Sequence, residues 1–266
     1  MDPRMFDFED FQRTGGPVRL GLLLGGRGLE GLAALPTLVF LEREGLIPDV
    51  LVASGGAALL AGQWAAGVAP SEMLDRALVL GETDKLGHES KLAEVVLRNL
   101  SFNRLFDAGT ANTPKAKGNG KVACKRLDAL LDNWIGDADF LDGECDVVIE
   151  YRCEENQQLR DVTGGAISPA VRSAQSGDAF LPVQPALARG LSKLVGIAPK
   201  SLGASVGNGP VDRSCMPHGL LIEVDVPAMA PWTINAIPAV LAAGQEALDK
   251  NRQALLEMFG ELAAAA

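Results

Sequence analysis

Gly26, Gly28 and Gly31 stand in the order Gly-x-Gly-x-x-Gly within GLLLGGRGLEGL, Gly21–Leu32. At this spacing a strand-to-helix turn brings backbone amides against a dinucleotide pyrophosphate. The same residues, taken as Gly25-Gly26-Arg27-Gly28, make a bare glycine loop at a helix N-terminus. Its amides suit a developing oxyanion equally well. The next strand discriminates between the two chemistries. A dinucleotide site asks that strand to end in Asp or Glu for the ribose hydroxyls. Here it is Asp49-Val50-Leu51-Val52-Ala53, with its acid at the start and the neutral pair Ala53-Ser54 at its far end. The dinucleotide reading lacks its acid.

That far end carries a different possibility. VLVASGGA, Val50–Ala57, sets a serine at a strand-to-helix turn among small residues. A nucleophile elbow is built this way, with small neighbours at −2 and +2 so that strand and helix can close on each other. Gly56 meets the demand at +2, whereas Val52 departs from the usual glycine at −2. A helix N-cap serine followed by packing glycines is the structural alternative. With two adjacent parallel strands each ending in a glycine turn, Gly25–Gly28 would lie beside Ser54 and could serve as its oxyanion hole. The chain has two histidines, His88 and His218. His88 falls in the charged stretch GHES, and nothing around His218 resembles a triad loop. A serine enzyme here would use a carboxylate directly as base.

These turns need a parallel sheet to hold them. Pro17–Leu24 reads as a buried strand and Leu29–Glu44 as a helix kinked or shortened at Pro36 and closed by Gly45. Asp49–Ala53 follows as a second strand and Ala57–Ala66 as a second helix. Such alternation implies parallel strands joined by crossovers. Ser71–Arg104 reads as largely helical, 110–120 as a loop and Lys121–Trp134 as an amphipathic helix. Cys145–Tyr151 and Gln158–Val162 alternate as strands, and Ile167–Ala174 is a short helix. The stretch 191–209 has no clear periodicity. LLIEVDV, Leu220–Val226, reads as a strand and Ile234–Ala266 as a long closing helix.

With 266 residues, 47% of them hydrophobic, the chain has ample material for one large core. No repeat or linker divides it. The expectation is a single α/β domain over 1–266. Within it lie the glycine loop and elbow (16–80), a helical insertion (81–144), the rest of the sheet with a late loop (145–230), and a C-terminal helix (231–266).

The formal charge of −10 argues against a nucleic-acid surface, which needs a basic face. Between Lys85 and Arg126, however, nine basic residues meet only three acids. This segment is either a solvated helical face or a patch meeting an anionic substrate or membrane surface. The four cysteines have no C-x-x-C spacing and no paired histidine, so a metal site is not expected; buried thiols in a reducing, cytoplasmic setting are. The acidic N-terminus lacks the apolar core of a secretory signal. The uncharged run 50–71 could span a bilayer by length, but its glycines, Pro70 and alanine-rich character fit a buried strand and helix better.

Taken together, these segments resemble the patatin-like phospholipases, serine lipid acyl hydrolases with a Ser-Asp dyad. The similarity runs through most of the chain. Leu24–Gly28 is similar to the family's Gly-Gly-x-Arg-Gly loop, and Glu44–Ala57 to its Pro-Asp approach and serine elbow. Ile167–Val183 is similar to its helix and Phe-x-Pro turn, and the LLIEVDV strand and final helix fall in the family's order. The resemblance implies a three-layer α/β/α fold with a mostly parallel central sheet and inserted helices, hydrolysis of lipid or simple acyl esters, and no cofactor.

It also implies Ser54 as nucleophile, Gly56 as the retained elbow glycine with Val52 as the departure, and Gly25, Gly26, Arg27 and Gly28 as the oxyanion loop. The family's basic Asp falls in a turn that best matches Val206–Ser214. This puts Asn208 where the Asp belongs and leaves Asp212, four residues on, as the alternative base. An amide is too weak a base to take the serine proton. The second implied possibility is therefore a degenerate member that binds lipid, acyl groups or a protein partner without turnover. Peripheral membrane contact would run through 85–126.

Overall fold

LGLLL is a run that only a doubly covered strand can bury. It forms β1 (Leu20–Leu24), buried at every position and flanked on both sides by parallel neighbours. The protein is seen in a computed structural model that describes residues 19–86, 128, 131–140, 145–153, 156, 158–176, 179–191, 193–202, 205–206, 209–210, 216, 219–230 and 232–265. β1 pairs with β2 (Val50–Ser54) on one side and β5 (Lys193–Pro199) on the other. β2 pairs in parallel with β3 (Asp146–Arg152), and β5 in parallel with β8 (Leu220–Val224). The short β4 (Leu159–Val162) closes one edge, antiparallel to β3. The six strands run in the order β4-β3-β2-β1-β5-β8, while β6 (Ser205–Val206) and β7 (Gly209–Pro210) form a separate small ribbon.

Side chains alternate between the two faces. Leu22, Leu24, Leu51, Ala53, Val147, Ile149, Val195, Ile197, Ile222 and Val224 feed one core. That face is covered by a 3-10 turn (Gly28–Ala34) with α1 (Leu35–Arg43), α2 (Ala58–Ala65), α3 (Pro70–Leu86), α4 (Ile167–Ser176) and α6 (Ile237–Ala265). Leu23, Val50, Val52, Val148, Leu194 and Ala198 feed the opposite core, beneath α5 (Val183–Ala188) and the chain leading into it. The result is a three-layer α/β/α fold with a mostly parallel sheet, the architecture implied by the resemblance to the patatin-like phospholipases. It is unequal: the layer holding α5 is thin.

Some elements match the expectation and some differ. Of the two effects expected of Pro36, the helix is shortened and not kinked. The segment from Gly28 winds first as a 3-10 turn, and Pro36 occupies the first turn of α1, where its missing N–H costs nothing. The aperiodic stretch from 191 conceals β5, whose continuous apolar run KLVGIAP lacks strand alternation because both its faces are covered. The uncharged run 50–71 is strand, turn and buried helix, and among the described residues no helix is long and apolar enough to cross a membrane.

Leu51, fully buried in the sheet, and Ile47, 54% exposed just before it, test this arrangement. Leu51→Ala is expected to lower the unfolding free energy by about 2–5 kcal/mol, from lost burial plus the cavity left behind. Ile47→Ala should change it by less than about 0.5 kcal/mol. Urea unfolding of both variants measures the difference.

Candidate functional site

β1 and β2 are adjacent and parallel, so the two glycine turns leave the same edge of the sheet side by side. They touch through bare backbone. The Gly56 N–H donates to the Gly26 carbonyl. A Cβ on Gly31 would lie 2.3 Å from the Ala57 nitrogen, and one on Gly56 would lie 1.8 Å from the Gly28 oxygen. The Gly-x-Gly-x-x-Gly spacing is thus explained by packing of one turn on the other. Asp49, the acid on the wrong end of β2, lies at the opposite sheet edge, where its carboxylate accepts the Leu20 N–H at 2.6 Å.

The bend at the end of β2 turns on Gly55. Its φ is +55°, the left-handed conformation in which an elbow holds its nucleophile, whereas Ser54 is extended, with φ −136° and ψ 163°. Position 55 also has no room for a side chain. A Cβ there would lie 2.5 Å from the Gly26 carbonyl oxygen and 2.7 Å from the Ala179 Cβ.

Ser54 is completely buried. Its hydroxyl donates to the Phe180 carbonyl and accepts the Phe180 N–H at 3.2 Å. One backbone residue thereby takes both the hydroxyl proton and a lone pair. Although Ser54 occupies the N-cap position of the following turn, its side chain makes no capping bond. The Phe180 oxygen also lies only 2.8 Å from where a Gly25 Cβ would be. The Phe180 peptide therefore occupies the corner between the serine and the glycine loop.

The loop's amides are partly committed. The Gly25 N–H donates to the Ile197 carbonyl at 3.0 Å, and the Arg27 N–H to the Glu30 carboxylate at 3.4 Å. Glu30, itself buried, also accepts the Ser201 hydroxyl at 3.3 Å. Arg27 is exposed, and Val52 is a core residue packed beneath the α5 layer. The Gln175 amide reaches the turn from α4, donating to the Gly56 carbonyl at 3.3 Å.

Sequence reasoning did not single out Gly55, Phe180 or Glu150. Glu150 is the register partner of Ser54 across β2 and β3, on the same face of the sheet, and only 4% exposed. Across the other side of β3 it pairs with Asp161 of β4. Burial, with Asp161 beside it, pushes the Glu150 carboxyl up from 4.5 to about 7, against the pull of Arg152 and Arg189. Asn208, Asp212, His88, His218 and nearly all of the basic segment 85–126 lie outside the described residues. Among those described, no group of three or more His, Cys, Asp or Glu could hold a metal.

Fold and site together define a mostly parallel α/β protein in which a serine and two glycine turns meet at the C-terminal edge of the central strands. No known family profile and no curated protein matches the chain. Among solved structures it is similar to the type III effector protein ExoU, at 14% identity over 89% of this chain and 53% of that one, with a TM-score of 0.42. It is likewise similar to full-length ExoU in complex with SpcU from the type III secretion system of Pseudomonas aeruginosa (15% identity, 89% and 53% of the two chains, TM-score 0.38). VipD from Legionella pneumophila is matched at 12% identity over 88% and 67% of the chains, with a TM-score of 0.40. The chain spans about half the length of the ExoU chains it matches.

Two expectations follow from the geometry. Ser54→Ala removes both hydrogen bonds to the buried Phe180 peptide and should cost about 1–3 kcal/mol of stability in urea unfolding. For Glu150, the folded chain keeps its proton until about pH 7, whereas the unfolded chain releases it near 4.5. Its contribution is therefore fully present below pH 4.5 and lost as pH rises through 7, by about 3 kcal/mol. Glu150→Gln should flatten the stability profile across that window, which unfolding at a series of pH values reads directly.

Proposed function

We propose that this chain is a patatin-like domain that works by binding rather than by ester hydrolysis, its ligand being a lipid, an acyl group or a protein partner. The observation that carries the proposal is the left-handed Gly55 at the elbow, with no space for a Cβ. Acyl transfer needs a nucleophile whose hydroxyl is exposed, activated by a base and faced by free amide donors. At this elbow the strained position bears no side chain. The neighbouring serine is buried and its proton is directed at the Phe180 carbonyl, which is no base. Val52 in place of the −2 glycine supports the same reading, as does Asn208 at the position matched to the family's Asp.

Hydrolysis by Ser54, with Asp212 or another carboxylate as base and Gly25–Gly28 as oxyanion hole, is the competing reading. One observation favours it: Glu150, a carboxyl poised near neutral pH, is in register with Ser54. For hydrolysis the Phe180 peptide would first have to leave the serine.

Short p-nitrophenyl esters and a fluorophosphonate probe decide between the two. The expectation is turnover within about twofold of the uncatalysed rate, the same in Ser54→Ala and Asn208→Asp as in wild type, with no probe bound. Clear wild-type turnover abolished by Ser54→Ala would overturn the proposal. Binding is read separately, as a rise in Tm with a long-chain fatty acid or with phospholipid vesicles.

A further inference from the structure

Three charged side chains meet at the β3–β4 edge in an arrangement the elbow does not explain. Glu150 and Asp161 are cross-strand partners on β3 and β4. Arg189, at the end of α5, donates to the Asp161 carboxylate at 2.7 Å and through its other amino group to the Pro185 carbonyl at 3.0 Å. Glu150 itself makes no hydrogen bond or ion pair among the described residues. The charged groups facing it are Asp161 from β4, Arg152 from its own strand and Arg189 from the α5 end, while its β2 neighbour is the neutral Ser54. Beside this corner lies a cavity of about 720 Å³ whose lining includes Val148, Thr163 and Arg189.

We propose that Glu150, Asp161 and Arg189 form a proton-operated clasp between β3, β4 and the end of α5. The clasp is closed while Glu150 holds its proton and loosens when that proton is lost. With Glu150 neutral, Arg189 answers one carboxylate, Asp161, and ties the α5 end to the edge strand. Ionised, Glu150 becomes a second carboxylate beside the first, in a residue only 4% exposed and with Arg189 already engaged by Asp161. A largely desolvated carboxylate beside a like charge is relieved by admitting water. Two elements can yield. β4 has only four residues and is paired on one side, and the α5 end is held by Arg189. Movement of either opens the corner that borders the cavity. Proton loss at Glu150 thus widens access to the cavity, whether or not Ser54 turns over esters.

Amide hydrogen exchange on the full chain between pH 5 and 8, corrected for the chemical pH dependence of exchange, tests the clasp. Below the Glu150 midpoint of about 7, opening linked to the loss of one proton gains up to about tenfold per pH unit, and above the midpoint it levels off. Wild-type protection at 159–162 and 189–191 should fall accordingly, while Glu150→Gln stays protected throughout. Asp161→Asn leaves Glu150 as the sole carboxylate under Arg189 and should move the midpoint to lower pH, which keeps the test available if the Gln variant fails to fold. Unchanged wild-type protection, an equal fall in Glu150→Gln, or an unmoved midpoint in Asp161→Asn would overturn the proposal.

Discussion

The site depends on the contact of two peptide backbones. The turn after β1 and the turn after β2 lie so close that no side chain fits between them at Gly31 or Gly56. Parallel neighbouring strands force the two turns to the same sheet edge, and glycine is the residue that lets them meet there. The hydrogen bond from Gly56 to Gly26 then joins one turn to the other. Everything at the site is set by how that contact is made.

One consequence is the inversion of roles between Ser54 and Gly55. In an elbow that does chemistry, the residue in the strained conformation carries the reacting atom and points it away from the sheet. Here the Gly26 carbonyl stands where a side chain at 55 would begin. Ser54, one residue earlier and extended, belongs to the strand and points with Val52 into the thin layer beneath α5. Its hydroxyl there satisfies a buried peptide whose N–H and carbonyl would otherwise go unpaired. In this geometry the serine secures the segment entering α5.

Much of this was legible in the sequence. The apolar run PVRLGLLL, the charge-free stretch from Val50 and the LLIEVDV strand announced buried strands. The paired glycine turns announced their common edge. What escaped were features without a local pattern. KLVGIAP looks aperiodic because β5 is covered on both faces. The pair Gly55-Gly56 allows two placements of the bend, and the choice between them is made by Gly26, some thirty residues away. Phe180 meets Ser54 through its backbone, which any residue type but proline supplies. Glu150 stands in a strand like an ordinary exposed alternating residue, and only the register of β3 with β2 and β4 reveals that it is enclosed.

Enclosing Glu150 has an energetic consequence that an amide of the same shape would avoid. At neutral pH its carboxyl is poised between two charge states, and the ionised one is largely desolvated beside Asp161. Local opening relieves that mismatch in the proposed clasp, because Arg189 already serves Asp161 and the Pro185 carbonyl. A change of shape at the sheet edge does not depend on chemistry at the elbow. In this fold the two are linked through a pair of neighbouring strands: β2 carries Ser54, which holds the entry to α5 through Phe180, and β3 carries Glu150, which faces the guanidinium at α5's exit. The short α5 is fastened at both ends by polar contacts, one neutral and one titratable. In the proposed clasp, the titratable end is the one that yields as Glu150 loses its proton.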